Sequence, residues 1–432
     1  MSQPARVVVV GAGFGGFHAA RRLEHLLPTT AAQITVVSPA DHLLYTPLLP
    51  EVAGGILQPR DIAVPLTGAL RSRRVPGRAV GVDLAQRYVD VQTADGHVRL
   101  PWDRLVLAPG SVSRSLPVPG LAEHAIGFKT AAEATYLRDH VLAQLELAAA
   151  TVDPALRRER STFVVVGAGF AGTELTAFLQ LLSRRLVRSA RSGKAVDPRW
   201  VLVDAGPRVL GELEPALSRR AERVLRRRGV DVRLSTTLQS VDARGVVLAD
   251  GTRLPARTVV WTAGVAPSPL VATLGVPLDR GRALVDAGLR LAGHPHVFVV
   301  GDAAAVPDLT RPGTQTAPTA QHAGRQGVAA ARNLAASLGV GVARPYRHHD
   351  LGLAADLGGR QGVARPLGVP VTGPAARLAA RGYHLWALPA NRARVAASWA
   401  LTAGRGPQLV GLDLAAADDV ALGAVLGRTA TR

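Results

Sequence analysis

Three carboxylates stand where carboxylates do nucleotide chemistry. Glu174 follows a glycine-rich turn by two residues, Asp204 ends the apolar run Trp200–Val203, and Asp302 follows Gly301 at the end of another. An acid at the end of a strand accepts hydrogen bonds from ribose hydroxyls, and one in the first turn of a helix is favoured by the helix dipole. The glycine-rich turn before Glu174 occurs twice in the chain. Gly11-Ala12-Gly13-Phe14-Gly15-Gly16 follows Arg6–Val10, and Gly167-Ala168-Gly169-Phe170-Ala171-Gly172 follows Phe163–Val166. In such a turn the first glycine permits the tight bend, the second lets backbone approach a pyrophosphate, and the third packs helix on strand.

Each turn needs a strand before it and a helix after it to act as a phosphate cradle. Both have them: β-branched apolar runs that fit buried parallel strands, then the helix-forming stretches HAARRLEHLL and TELTAFLQLLSRRL. One such turn is weak evidence; two in correct context predict two dinucleotide sites in an α/β chain with two Rossmann-like domains. Asp204 lies 37 residues after Gly167, beyond the usual spacing, and the basic stretch 183–199 reads as a helix extension plus a loop. An acid there favours NADH, because the extra phosphate of NADPH would meet a like charge; Arg208 is near enough in sequence to soften that preference. In the first unit Ile34–Val37 ends instead in Ser38 and Pro39, with Asp41 beyond. The segment VFVVGDAA, 297–304, gives a third strand-to-turn junction at Gly301 and Asp302.

Composition narrows the chemistry. The 432 residues suggest two or three domains, and 47% hydrophobic residues suffice for buried cores. The absence of cysteine excludes a dithiol centre, an iron–sulfur cluster and a thiolate zinc site. Adjacent His348 and His349 with Asp350 form no metal-site spacing, so no metal is expected. The net charge is +19, carried almost wholly by arginine; only Lys129 and Lys194 are lysine. That charge suits an anionic membrane surface or a nucleotide. Aromatics make up 4% and are not interleaved with the arginines, so nucleic acid is not an expected partner. The apolar run near the N-terminus breaks at glycine and reads as a strand, not a signal peptide. Nor is any unbroken apolar stretch long enough to span a bilayer.

The order of first turn, second turn and late Gly-Asp resembles the two-dinucleotide flavoprotein reductases of the glutathione-reductase fold. More closely, the chain resembles the type II NADH dehydrogenases, peripheral NADH:quinone oxidoreductases within the FAD/NAD(P)-dependent pyridine nucleotide-disulfide oxidoreductase-like flavoproteins. HLLYTPLLPEVA (42–53) is similar to their loop beside the flavin ring, TAQHAGRQG (319–327) to their segment at flavin and quinone, and HLWALPANRARVAASW (384–399) to their membrane-docking region. The resemblance implies FAD-binding parts at 1–117 and 267–340, an NADH-binding domain at 118–266 and a C-terminal module at 341–432, with crossings at LVLAPGS (105–111) and VVWTAGV (259–265).

Site residues follow from the same resemblance. FAD would lie on Gly11, Gly13, Phe14, Gly15 and Gly16, with Ser38, Pro39, Ala108 and Gly110 beside it and Gly301 and Asp302 on its ribityl or pyrophosphate region. Thr46 and Pro47 would flank the flavin ring. NADH would lie on Gly167, Gly169, Phe170, Ala171 and Gly172, with Asp204 and Gly264. Glu174 would stand at the reactive edge of the flavin, and Gln321 would touch flavin and quinone. Arg325 stands where the family usually has a second glutamine; Gln326, one residue on, points about 100° away on a helix. A guanidinium at that position suits an anionic quinol or flavin hydroquinone, or a different, more acidic acceptor. The implied reaction passes hydride from NADH to FAD and two electrons to quinone, without proton pumping.

Segment 344–407 holds nine arginines against two acids. Leu378, Gly382 and Leu385 share one helical face with Trp386 at its margin, Arg377 and Arg381 lie on another, and Leu388, Val395 and Trp399 add apolar surface. Such a segment suits docking to an anionic bilayer at the cytoplasmic face of the cell membrane, or capping of the flavin domain. Gly341 and its small neighbours suggest a linker, and the residues from Leu412 on carry no readable signal. A homodimer stays open. So do two alternatives: a soluble NAD(P)H-dependent flavoprotein reductase with another acceptor, and a nucleotide-binding redox sensor with little turnover.

Overall fold

The computed structural model describes residues 3–189 and 196–430. Lys194 and part of the basic stretch 183–199 fall outside them. The Arg6–Val10 run forms the strand Ala5–Val10, fully buried from Val7 on, at the heart of a six-stranded sheet. Its neighbours are Ala32–Ser38 on one side and Arg104–Leu107 on the other, both parallel. Beyond Arg104–Leu107 lies His294–Val299, again parallel, so the first sheet is completed by a strand from late in the chain. Between these segments the chain builds a second sheet of five parallel strands. Thr162–Val166 lies at its centre, flanked by Thr258–Trp261 and Arg199–Val203. The two crossings meet as an antiparallel pair, Ser111–Ser113 against Val265–Pro267.

Small residues set the close approach of two helices. Phe14–Leu26 packs along Ala320–Ala336, and a Cβ on Gly327 would come within 2.1 Å of the Gly15 carbonyl oxygen. Only glycine lets these backbones meet. The second sheet is anchored more conventionally: Phe163 stacks on Trp200 at 4.7 Å, and the Trp200 indole donates to Ser183 at 3.0 Å.

The C-terminal module corrects the amphipathic reading. It consists of a three-stranded sheet (Ala354–Asp356, Gly362–Ala364, Val371–Thr372) and the helices Gly373–Ala387 and Arg392–Arg405. Leu388, Val395 and Trp399 are buried in the main core and add nothing to an outer surface. Leu378 and Gly382 face solvent, whereas Leu385 packs partly against the core, so the three do not form one exposed face. Arg377 and Arg381 turn inward, because buried carboxylates lie beneath them. The linker region is also more ordered than its glycines suggest: Tyr346 is buried, and Asn333 bonds the backbone of Arg344 from both sides of its amide. Residues beyond Leu412 form the helices Ala417–Val420 and Leu422–Ala430, which return to the second sheet through Leu422 N–H to Ala125 O at 2.9 Å. No helix among the described residues is long and apolar enough to cross a membrane.

Candidate active site

The carboxyl ends of both central strands open into glycine turns built to one plan. Gly11 (φ +91°) and Gly167 (φ +108°) adopt the left-handed bend; a Cβ on Gly11 would strike the Ala108 carbonyl oxygen at 2.2 Å. Ala108 thus fixes the turn from the neighbouring strand end. The Phe14–Leu26 helix begins at Gly13 with no side-chain cap and no acid in its first turn, leaving its N–H groups for an outside acceptor. Added Cβ atoms on Gly13 and on Gly169 would meet nothing within 4 Å, so both turns have room for a phosphate. Gly15 and Gly16 are buried under the first turn, Gly172 under the second; Ala171 is exposed.

A cavity of about 2070 Å3 joins the second turn to residues from all parts of the chain. Its wall brings together Gly167, Gly169, Phe170, Ala171, Asp204 and Gly264 with Phe14, Thr46, Pro47, Glu174, Gln321 and Arg325. Gly11, Gly13, Ser38, Pro39, Gly110, Gly301 and Asp302 are not in that wall; they lie at the carboxyl edge of the first sheet and its crossing. Asp204 accepts from Ala168 N at 2.5 Å and Gly206 N at 2.6 Å, which ties the strand-end acid to its glycine turn. Arg208 donates to carbonyls of its own loop, Gly211 and Leu213, and leaves Asp204 unpaired with a cation. Gly264 (φ +100°) receives Arg114 N–H on its carbonyl, 3.2 Å away.

Glu174 is no ordinary helix-terminal acid. Its Oε1 accepts the Asp356 N–H at 2.8 Å, from a strand of the C-terminal module, and burial holds its pKa well above the usual carboxylate range. Beneath it lies a cluster that the sequence did not reveal. Arg377 pairs with Asp356 at 3.1 Å, Arg381 reaches both Asp356 and Glu51 at 3.6 Å, and the Trp399 indole donates to Glu51 at 2.5 Å. Burial pushes the Glu51 pKa up to about 7, opposed chiefly by Arg381. A second unforeseen group sits at the late Gly-Asp turn. Ser111 Oγ donates to Asp302 at 2.5 Å, and Lys129 Nζ donates to Ser111 at 2.5 Å. Burial lowers the pKa of Lys129, against the pull of Asp302 and Glu133. One signal pointed to it: Lys129 is one of only two lysines in a chain that otherwise uses arginine.

Gln326 turns away from the cavity, as its place on the helix requires. It is buried, accepts from Gly301 N at 2.8 Å and donates to Thr316 at 3.0 Å, so it holds the Gly-Asp turn. Gln321 Nε2 donates to Gly352 O at 3.3 Å. Arg325 lines the cavity with its guanidinium bonded to the His349 carbonyl and 3.3 Å from His348 Nδ1. Tyr383 and His384 face the same space from the C-terminal module; Tyr45 bonds His384 at 3.2 Å and packs at 5.5 Å on Phe14.

Two Rossmann-like units, one inserted in the other, with a cavity that runs from the strand ends of the second to the Phe14–Leu26 helix of the first, define a two-dinucleotide oxidoreductase. The pattern of the pyridine nucleotide-disulphide oxidoreductases matches residues 5–327. A type II NADH:quinone oxidoreductase of Mycobacterium tuberculosis, NdhA, is 36% identical over 319 residues, covering 70% of this chain and 67% of that one. The demethylphylloquinone reductase NdbB of Synechocystis is 30% identical over 397 residues, covering 89% and 92%. Among solved structures, NDH2 of Plasmodium falciparum in complex with NADH superposes with a TM-score of 0.84 at 16% identity, covering 94% of this chain and 99% of that one. The chain belongs to the pyridine nucleotide-disulphide oxidoreductase family, in its type II NADH:quinone oxidoreductase branch.

Proposed function

We propose that this protein is an FAD-dependent NADH:quinone oxidoreductase that moves two electrons without pumping protons. One observation carries the proposal: the second glycine turn, Glu174, Thr46, Pro47 and Gln321 line one continuous cavity. The uncapped helix at Gly13 and the open space at that glycine fit the pyrophosphate of FAD. When bound, FAD supplies the two-electron relay between NADH and the acceptor. The protein's own part is orientation and exclusion of water. Gly167, Gly169 and the N-terminus of Phe170–Ser189 would seat the NADH phosphates, and Asp204 its ribose. Thr46 and Pro47 would bound the flavin ring, while Ser111 and Lys129 hold Asp302 for the ribityl chain. Glu174, whose pKa burial raises well above the usual carboxylate range, would hold or exchange a proton beside the ring. Gln321 and Arg325 mark the acceptor's side.

Further proposals concern placement. The exposed Leu378, Trp386 and Leu401, 61–74% accessible, suit docking at the cytoplasmic face of an anionic membrane, with or without a homodimer. Steady-state oxidation of NADH and NADPH with a soluble quinone tests the reaction. The expected result is quinone-dependent turnover preferring NADH; turnover indifferent to quinone would refute it. Sedimentation with acidic vesicles tests placement, and Leu378→Ser with Leu401→Ser should weaken it.

A further inference from the structure

Eight lysine and arginine side chains and three acids line the cavity. The acids are Glu174, Asp204 and Glu212, all from the inserted nucleotide unit, which also supplies Lys129; Arg392 comes from the C-terminal module. One arm runs alongside the seam where Phe14–Leu26 packs on Ala320–Ala336, bounded also by the segment 340–347, and its charged side chains are Arg21, Arg22, Arg325, Arg332, Arg344 and Arg347. None of these six pairs with a carboxylate among the described residues. Arg22 Nε is buried with no hydrogen-bond partner. The general excess of base, 51 to 32, does not explain why six arginines and no acid come from these three segments of the wall.

Geometry makes the arm a track. Gln321, Arg325, Val328 and Arg332 recur at helical spacing on one face, a stripe roughly 16 Å long. Phe14, His18, Arg21 and Arg22 form the facing stripe. Val328, Ala329 and Val340 supply apolar wall between the guanidiniums. Arg325 stands one turn from Gln321 on this stripe, and its bonds to the His349 carbonyl and His348 hold it in place. Around it stand a tyrosine and two imidazoles. Tyr346 bonds His322 at 3.0 Å and His348 at 3.4 Å. Burial lowers the pKa of both imidazoles, His322 to about 4. Tyr383 also lies within the field of Arg325. Asp308 and Asp350 act on these imidazoles against that lowering, while Asp308 accepts from Thr310 and Asp350 pairs with Arg365.

We infer that this arm selects an anionic acceptor: a quinone bearing an ionised acidic substituent, with that charge held by Arg325 and guided by the arginines along the two helices. The inference rests on the NADH:quinone reading of the cavity. Fixed guanidiniums on an apolar wall bind an aromatic anion better than a neutral ring of the same size, because the charged hydrogen bond forms without reorganisation.

The test uses the full-length, FAD-loaded protein, reduced with NADH under anaerobic conditions. Reoxidation of the flavin is timed with 1,4-naphthoquinone and with its 2-sulfonate, so that the ratio of the two rate constants reports charge selection. The same ratio is measured in Arg325→Gln, which cancels the intrinsic reactivity of the two quinones. Loss of one charge-assisted contact predicts a fall of at least about tenfold in that ratio. Raising salt from about 10 mM to about 1 M should lower the wild-type ratio as well. Arg332→Gln, farther along the track, should lower it by roughly two- to threefold, and serves if Arg325→Gln loses its flavin. A ratio that ignores both salt and these substitutions would overturn the inference while leaving the quinone reductase reading intact. Failure of both quinones to reoxidise the flavin would overturn that reading itself.

Discussion

Glu51→Gln separates two opposed accounts of the buried cluster beneath Glu174. In one, ionised Glu51 is an indispensable partner of Arg381, and its loss strands a buried guanidinium at a cost of roughly 3–5 kcal/mol. In the other, the cluster already holds more acid than it can ionise: Glu51 and Asp356 share Arg381, Asp356 also takes Arg377, and Glu174 is buried beside them with only the Asp356 N–H as partner among the described residues. The structure favours the second account. Glu51 is 3% exposed, and burial outweighs Arg381 in moving its pKa from 4.5 to about 7. A shift of that size corresponds to roughly 3 kcal/mol. Because the folded pKa lies above the unfolded one, the stabilisation is fully present below pH 4.5 and is lost as pH rises through about 7. Glutamine retains an oxygen for the Trp399 indole and never ionises. Thermal melts with FAD in excess should therefore coincide for the two proteins at about pH 4.5 and separate at about pH 8, with Glu51→Gln higher by roughly 5 °C. A variant that melts several degrees lower at the higher pH would show that the Arg381 pair dominates, and the reasoning would fail.

Three further outcomes follow from the same geometry. Glu174→Gln keeps the shape that accepts the Asp356 N–H but cannot exchange a proton, so NADH:quinone turnover should fall ~100-fold with the flavin spectrum intact; undiminished turnover would remove Glu174 from the chemistry. Asp204→Ala frees the Ala168 and Gly206 amides and deletes the strand-end acid. The KM for NADH should rise about tenfold and the preference over NADPH should narrow, whereas an unchanged ratio would mean that another group reads the ribose. Gly327→Ala drives a methyl against the Gly15 carbonyl, 2.1 Å away, and should cost about 1–3 kcal/mol in melts and speed FAD loss on dilution. Native melting and flavin retention would show that the helix pair yields instead.

What the sequence disclosed was local. The glycine turns were legible because backbone conformation and close approach demand glycine at fixed spacing, and Asp204 because it closes a strand that periodicity identifies. Glu174 was marked by the family resemblance; its distance from the turn alone describes a helix N-terminal acid. By contrast, the cluster beneath it is assembled from distant segments: the Trp399 indole meets Glu51 across 348 positions. No spacing rule connects them. Helical periodicity also showed that Arg377 and Arg381 share a face, but not which way it points. Buried Asp356 and Glu51 decide that, and they reverse the expectation of a basic outer surface. Lys129 was visible as an oddity of composition, yet its partner Ser111 lies on a crossing strand whose pairing with Val265–Pro267 only the folded chain reveals.

The central claim is that one cavity couples NADH to a quinone through bound FAD. Anaerobic titration tests it most directly: record the visible spectrum of the purified protein, add NADH, then add a soluble quinone. The account predicts a flavin spectrum that NADH bleaches and quinone restores. A protein that binds FAD but is not bleached by NADH, or once bleached is not restored by any quinone, would contradict it.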